Sequence, residues 1–315
     1  MRPAIGVFCY AVILAWVLPL PLGLASRRGV SPRLGLVAWL AAMTSVLACT
    51  VTALWLLVRA AVAGWPEFAR TVCESVTADP CPPSVYRSVA YEAGLALAAS
   101  AGGIVMILLC WRYGRSLRRA RIRTRAHGEA ARITGRPAGA GSGAFVLDAT
   151  QPAVYCVPGR PPTIVLTTGA LAVLEPEQVT AVLAHERAHL AARHHLLLAL
   201  TRSLAAVAPA VPVFARGTCE VARLAEMRAD DVAARRCDPG TLLTALLAMS
   251  AGPVLAQTPA SWLAATGGVV AARVLRLADP PPRARRVRHA LALAALTLTI
   301  ATASALVLAF AVTLS

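Results

Sequence analysis

The sequence predicts a mainly α-helical membrane protein with about four transmembrane helices and one α+β domain outside the bilayer. Of its 315 residues, 57% are hydrophobic, and a mean hydropathy of +0.64 is too high for a soluble protein of this size. Four stretches without a charged residue, at 5–24, 34–58, 93–111 and 290–314, are long enough to cross a bilayer. Between the third and fourth stretches, β-like and helical patterns alternate as in a folded domain.

The first apolar stretch also resembles a secretory signal peptide, because Gly23-Leu24-Ala25 has the small residues of a cleavage site. Three arginines follow between residues 27 and 33, and such a flank is retained in the cytoplasm. We therefore predict that 5–24 is a transmembrane helix.

Arginine positions predict the orientation, since all 31 positively charged side chains are arginines. Arginines are dense in 25–33, in 112–125 and in 283–288, whereas 59–92 has three arginines against four acidic residues. The positive-inside rule places the dense segments in the cytoplasm and 59–92 outside. The expected protein is a multi-pass protein of a bacterial plasma membrane, with both termini outside and its folded domain in the cytoplasm.

This topology divides the chain into four parts. Residues 1–111 form a three-helix transmembrane region with an outer loop at 59–92, and 112–143 form a basic linker with a glycine-rich hinge. Residues 144–282 form the cytoplasmic domain, and 283–315 form the last transmembrane helix.

The net charge of +16 raises the question of nucleic-acid binding. The arginines cluster at membrane flanks, where they attract anionic headgroups, and no DNA-binding motif accompanies them. We expect contact with the lipid bilayer and no direct contact with nucleic acid.

Three short β-like runs, 144–148, 153–157 and 163–168, precede a helix in the predicted domain. This helix begins near Pro176 and has no breaker before His189. Its apolar side chains at 179, 182, 183 and 190 share a stripe that predicts a buried face.

The helix contains the pattern His185-Glu186-Arg187-Ala188-His189, or H-E-x-x-H. Histidines four residues apart point from the same helical face, and neutral imidazoles are good zinc ligands. Glu186 can reach a metal-bound water as a general base. The pattern predicts a metalloprotease with one Zn²⁺ per chain; the alternative is a core helix with two hydrogen-bonded histidines.

A catalytic zinc needs a third protein ligand, for which the sequence offers two candidates. His195 fits a spacing that requires a glycine at position 192, but Ala192 stands there, so we expect the helix to continue and carry His195 away. Glu226 is the preferred ligand, because Asp230 follows on the same helical face and can orient a ligand histidine.

The residues from Thr163 to Arg235, including these motifs, resemble the gluzincin membrane metallopeptidases, in two related branches. One branch holds the BlaR/MecR β-lactam sensor-transducers, and the other holds the HtpX and CAAX-prenyl-protease type. The resemblance implies a zincin-like metalloprotease domain in which His185, His189 and Glu226 bind zinc and Glu186 is the base. Residues 208–212 depart from the aromatic-Asn-Pro element usual in the BlaR branch. The sequence stops at Ser315, so no β-lactam sensor domain is expected.

Two segments of the domain need an interpretation. Segment 196–214 is apolar but separates His189 from Glu226, so we expect a core or interfacial helix rather than a fifth span. In the resembled family, a strand at the place of 163–168 borders the cleft, and its free edge can pair with an extended substrate. The alternative for 163–168 is a core strand.

The cysteines divide by compartment. Cys73 and Cys81 lie in the predicted outer loop and could form a disulfide or remain two free thiols. The other cysteines are expected to be packing residues, three in the membrane spans and Cys156, Cys219 and Cys237 in the domain.

Three functional hypotheses follow. The first is a BlaR-like protease that cleaves a cytoplasmic transcriptional repressor, and the second is an HtpX-like protease that degrades damaged membrane proteins. The third is a proteolytically silent transmembrane sensor, which an intact Glu186 disfavours, because a structural zinc needs no base. Candidates for stabilising the oxyanion are His194, Tyr155 and Arg273, and the oligomeric state is left open.

Overall fold

A computed structural model describes residues 2–77, 83–138, 143–159, 161–250 and 260–313. Most of these residues are helical, and one small sheet accompanies them. The helices are α1 (Arg2–Val17), α2 (Pro19–Ser26), α3 (Pro32–Thr77), α4 (Pro83–Thr134), α5 (Thr168–Val173), α6 (Pro176–Ala191), α7 (His194–Val207), α8 (Pro212–Ala233), α9 (Pro239–Ser250), α10 (Ala260–Ala278) and α11 (Arg283–Thr313). The strands are β1 (Arg136–Pro137), β2 (Ala144–Leu147), β3 (Val154–Val157) and β4 (Thr163–Thr167).

Four helical stretches are long and apolar enough to cross a membrane: Arg2–Ser26, Pro32–Trp65, Val89–Thr134 and Arg283–Thr313. They contain the four predicted spans in order, apart from residue 314, which lies outside the described residues. This confirms a mainly helical protein with several apolar helices able to span a bilayer. The first stretch is divided into α1 and α2 around Leu18, because Pro19 has no N–H to donate to the preceding turn.

The predicted outer loop 59–92 is mostly helical instead. Helix α3 continues to Thr77 and α4 begins at Pro83, so both helices extend beyond the apolar stretches. Hydropathy marks where a bilayer ends, whereas a helix does not end where its side chains become polar. The predicted pairing of Cys73 with Cys81 lies outside the described residues.

The predicted linker at 112–143 also differs from the structure. Residues 112–134 continue α4, and Ala131 near its end is buried against Val157 and Val165 of the sheet. The Arg132 Nε donates a hydrogen bond to Thr163 Oγ1 at 3.0 Å. Because these contacts fix the end of α4 on the sheet, the packed domain begins before residue 144. Residues 139–142 of the predicted hinge lie outside the described chain.

The sheet has the strand order β1-β2-β4-β3. Strand β4 pairs in parallel with β2 and antiparallel with β3, and all five of its residues are buried. It is therefore a core strand without a free edge, and the expected free edge at 163–168 is wrong. Among the described strands, β3 lies at the sheet edge instead, and it packs against α6.

Helix α6 begins with a capping box, in which Glu175 and Gln178 bond reciprocally to backbone N–H groups, with Pro176 at the first position. It ends at Ala191, because Arg193 adopts a left-handed conformation with φ 51°. The expectation that the helix continues through Ala192 is thus wrong: Arg193 makes the turn that a glycine would otherwise make.

The segment 196–214 forms α7 and the start of α8. Helix α7 has 14 residues, a length of about 21 Å that is too short for a bilayer core of about 30 Å. It packs against α4 and α8, with Ser203 Oγ 3.0 Å from Ser116 Oγ.

Helix α8 connects the domain to the membrane helices. Its apolar face, including Val221 and Leu224, packs into one core with Trp39 and Met43 of α3. Two arginines bond the turn between α2 and α3: Arg223 donates to the carbonyls of Ser26 and Arg27, and Arg276 of α10 donates to that of Gly29. We call this set of bonds the α8–hairpin contact.

Candidate active site

Helix α6 supplies the first two metal-binding side chains. His185 and His189 are buried, and their Nε2 atoms lie 3.1 Å apart. Nitrogens this close can both bind one cation. Without a cation, at most one of them could donate a hydrogen bond to the other.

Helix α8 brings a carboxylate to the same point. Glu226 Oε2 lies 3.4 Å from His185 Nε2, and Glu226 Oε1 lies 3.5 Å from His189 Nε2. Ligands bound at about 2.0–2.1 Å to a tetrahedral zinc lie about 3.3–3.4 Å from one another. The three distances between the ligand atoms therefore fit this metal. Within the part of the chain that is described, these three side chains form the group that could hold a metal ion.

Asp230 and Arg273 support this group from behind. Asp230 Oδ1 lies 3.0 Å from His185 Nδ1, on the far side of the imidazole from Glu226. Arg273 of α10 donates to both oxygens of Asp230, at 2.8 and 2.7 Å, and its Nη1 lies 3.2 Å from Glu226 Oε2. The guanidinium donors are therefore used by carboxylates, which leaves Arg273 unsuited to the oxyanion role considered for it.

Negative charge dominates the electrostatics of the group. Burial lowers the pKa of His185, but bonding to Asp230 and Glu226 outweighs it and raises the pKa to about 9. Burial raises the pKa of Glu226, but His185, His189 and Arg273 bring it well below its usual range. The carboxylates thus remain ionised and favour positive charge between the imidazoles.

His189 has a different partner for its second nitrogen. Its Nδ1 lies 3.0 Å from Nδ1 of His194, and the two rings meet edge to face with centroids 4.8 Å apart. Burial, followed by the charge of His189, lowers the pKa of His194 to about 4. A neutral His194 can accept the Nδ1–H of His189, which would fix the His189 tautomer with Nε2 free for a metal.

Glu186 lies near both the metal-binding group and the edge strand β3, since His185, His189 and Glu226 affect its pKa as well as Cys156. It forms a hydrogen bond with the thiol of Cys156 on β3, and burial raises the pKa of its carboxyl group despite the nearby His185 and His189. Burial, then the charge of Glu186, raises the pKa of Cys156 to about 12, so the thiol stays protonated. Cys156 packs against Ala144, Ile164 and Leu166, as expected of a packing residue, and contacts Glu186 as well; no local pattern around it indicated this second contact.

The remaining candidates lie around a cavity of about 750 Å³ that His189 lines. Tyr155 lines it too, and its hydroxyl oxygen is 3.0 Å from His127 Nε2. His195 lines the same cavity but is outside the converging ligand group. Of the oxyanion candidates, Tyr155 thus keeps a hydroxyl at the cavity wall, whereas His194 is bonded to His189.

An H-E-x-x-H helix facing a glutamate from a second helix, beside the edge of a small sheet, defines a zincin-type metallopeptidase. The chain belongs to peptidase family M48, whose family model matches residues 117–294. No curated protein and no solved structure matches the chain. The family makes the chain a metallopeptidase, and hence a hydrolase that acts on proteins, and implies zinc as its metal.

Proposed function

We propose that the protein is a membrane-embedded zinc endopeptidase that hydrolyses peptide bonds on the cytoplasmic side. The observation that carries this proposal is the convergence of His185, His189 and Glu226 within 3.5 Å of one another, with Glu186 next to the first ligand. Asp230 acts as a positioning residue that holds His185 in its ligand tautomer.

The roles follow from chemistry and placement. When bound, zinc polarises the scissile carbonyl and makes water acidic enough to attack near neutral pH. Glu186 accepts the proton of the attacking water and delivers it to the leaving amine. Its raised pKa suits this exchange, because a base whose pKa approaches the working pH both takes and returns a proton readily.

The edge strand β3 gives the substrate a place to bind. Cys156 of β3 contacts Glu186, so the strand runs beside the proposed base. A substrate segment paired with the edge of β3 would be extended, with its backbone recognised by hydrogen bonds and its scissile bond near the metal.

The α8–hairpin contact supports the cytoplasmic location. It joins the domain to the turn at residues 27–31, so that turn and the metal site lie on the same side of the membrane. Because the turn contains Arg27 and Arg28 and is followed by Arg33, the positive-inside rule favours the cytoplasm of a bacterial cell for both. A reporter active only outside the cytoplasm should stay silent when inserted after Arg28.

For the physiological role we propose cleavage of a transcriptional repressor, as in BlaR-like proteins. The test compares new protein N-termini in cells that express the wild type or Glu186→Ala, which removes the base and keeps the three ligands. New termini confined to one small DNA-binding protein are expected. Cuts scattered across membrane proteins would instead establish quality control, and no difference would favour a silent sensor.

A further inference from the structure

A groove runs between α4 and α7, from Trp111, where the apolar stretch of α4 ends, to the metal site. It consists of a cavity of about 580 Å³ and the cavity of about 750 Å³ lined by His189, which share Ser116, Ala120, Arg123 and Ala206. We call it the α4–α7 groove. Trp111 lines one end, and Tyr155 and His189 line the other.

The charge of the groove has one sign. Its lining includes five exposed arginines and no aspartate or glutamate; the arginines are Arg112, Arg115, Arg119, Arg123 and Arg202. None of the five forms an ion pair with a residue that the structure describes. Four of them repeat every three or four residues along α4, so they follow one face of the helix. An occupant that is negatively charged along its length complements this surface.

Distance along α4 decides between a lipid and a peptide as the occupant. Each residue of a helix advances about 1.5 Å, so Arg123 lies about 18 Å beyond Trp111, at the end of the apolar stretch. The headgroup layer is only about 5–8 Å thick on each side of the bilayer. For a helix along the bilayer normal with Trp111 at the edge of the hydrocarbon core, headgroups reach Arg112 and Arg115, whereas Arg123 lies about 10 Å beyond the headgroups. Arg123 lines the same cavity as the metal-binding His189.

We propose that the α4–α7 groove binds an acidic segment of the protein substrate on one side of the scissile bond. The span from Arg112 to Arg123 is about 16 Å, which an extended peptide covers with about five residues. Aspartate and glutamate in this segment pair with the arginines, whereas arginine-rich flanks of other membrane proteins are repelled. This inference names the substrate class of the proposed peptidase and rests on that function.

Binding is measured apart from cleavage, so the two proposals can fail separately. Full-length Glu186→Gln protein is loaded with zinc in nanodiscs of phosphatidylcholine alone. Two fluorescein-labelled peptides of about 12 residues are compared by anisotropy. One carries several glutamates, and the other carries glutamine at the same positions. At about 50 mM salt we expect the glutamate peptide to bind at least about tenfold tighter, and the difference to shrink at about 300 mM.

Matched variants locate the effect. Arg119→Gln with Arg123→Gln should weaken binding of the glutamate peptide by about 2- to 25-fold, because each exposed ion pair contributes a factor of about 1.4 to 5. Arg118→Gln with Arg125→Gln removes the same charge from α4 outside the groove lining and should change it less than about twofold. Zinc content of both variants is checked to show that the site is intact.

Three results would overturn the inference: equal affinity for the two peptides, an equal loss in the Arg118/Arg125 variant, or loss of the preference when phosphatidylglycerol enters the nanodisc. The last result would assign the groove to an anionic headgroup. A protein that binds the glutamate peptide selectively while the wild type cleaves no peptide would retain the groove proposal and reject the peptidase. Cleavage without acidic preference would do the reverse.

Discussion

Helix α8 takes part in two polar clusters that differ in their charge balance. In the first cluster, each arginine of the α8–hairpin contact also pairs with a carboxylate: Glu220 lies 2.6 Å from Arg223, and Asp231 lies 2.5 Å from Arg276. The two arginines then bond main-chain carbonyls of the α2–α3 turn. This cluster is neutral and needs nothing from outside the chain.

The metal site is not balanced in this way. Three carboxylates, those of Glu186, Glu226 and Asp230, gather around the histidines, and Arg273 is the guanidinium that faces them. With neutral histidines this leaves a net charge of about two negative units, the charge that Zn²⁺ neutralises. The comparison separates a cluster that stabilises the fold from one that a cation completes, and each prediction below tests that separation.

The largest expected effect is on catalysis. Glu186→Gln keeps the size of the side chain but removes the base, so kcat/KM should fall by about 10²- to 10⁴-fold. Zinc content should stay at one per chain, because the substitution leaves all three proposed ligands in place. The control is Glu177→Gln, on the exposed first turn of the same helix, with activity unchanged. Loss of zinc together with activity would show that Glu186 holds the metal instead.

The next effect is on stability and should depend on the metal. Arg273→Met leaves Asp230 and Glu226 without their guanidinium, and removing one partner of a buried ion pair costs about 3–5 kcal/mol. Because zinc supplies positive charge to the same carboxylates, the loss should be smaller with zinc than after chelation. Arg276→Met serves as the comparison, since its loss should not change on chelation.

Thermal unfolding in detergent, with and without a chelator, measures both variants. An equal loss for Arg273→Met in the two conditions would mean that the guanidinium acts by packing alone. The neutral balance of the hairpin contact would be refuted if chelation changed the loss for Arg276→Met.

These two clusters also show what the sequence could predict. The spacing of His185 and His189, and of Glu226 and Asp230, is local, so helical periodicity was enough to group them. Arg273 reaches Asp230 from 43 residues away, and only tertiary packing brings them together. Arg273 and Arg276 do lie three residues apart on one helix, opposite the successive Asp230 and Asp231. Two arginines three residues apart and two successive aspartates were therefore a sequence signal for paired salt bridges.

The sequence predicted the positions of the apolar stretches better than it predicted helix ends and sheet edges. Hydropathy located the apolar stretches but not the ends of α3 and α4, because a helix does not end where its side chains become polar. The turn at Arg193 carries no glycine, although its backbone is left-handed, and it is followed at once by the packing of His194 against His189. The edge position of β3 likewise depends on strand order, which no local pattern encodes.

Of the two clusters, only the metal site should respond to pH, through its affinity for zinc. Its carboxylates raise the pKa of His185 to about 9, and zinc must displace that proton. The zinc Kd should therefore rise about tenfold for each unit by which pH falls below about 9. Competition with a chromogenic chelator between about pH 6 and 8 measures this slope. A flat profile would mean that His185 is already neutral.

The raised pKa of His185 also affects the stability of the metal-free protein, and there low pH is favourable. A raised histidine pKa contributes stability that is complete below the unfolded value of about 6.5 and is lost as pH rises through about 9. Unfolding of the chelated protein should thus occur at lower temperature as pH rises across this window. The zinc-bound protein should not show this loss, because no proton is bound at His185.

The smallest effect is expected at the turn that α8 and α10 bind. Gly29 has φ +56°, and a Cβ there would lie 2.1 Å from Sδ of Met227. Gly29→Ala should cost about 1–2 kcal/mol for the left-handed backbone, with the flexible Met227 side chain moving aside. Gly6→Ala is the matched control, since a Cβ at Gly6 meets nothing within 4 Å, and it should cause no loss. Zinc affinity should be the same in both variants. If Gly29→Ala weakened zinc binding, the hairpin contact and the metal site would be one coupled unit through α8, and their independence would be rejected.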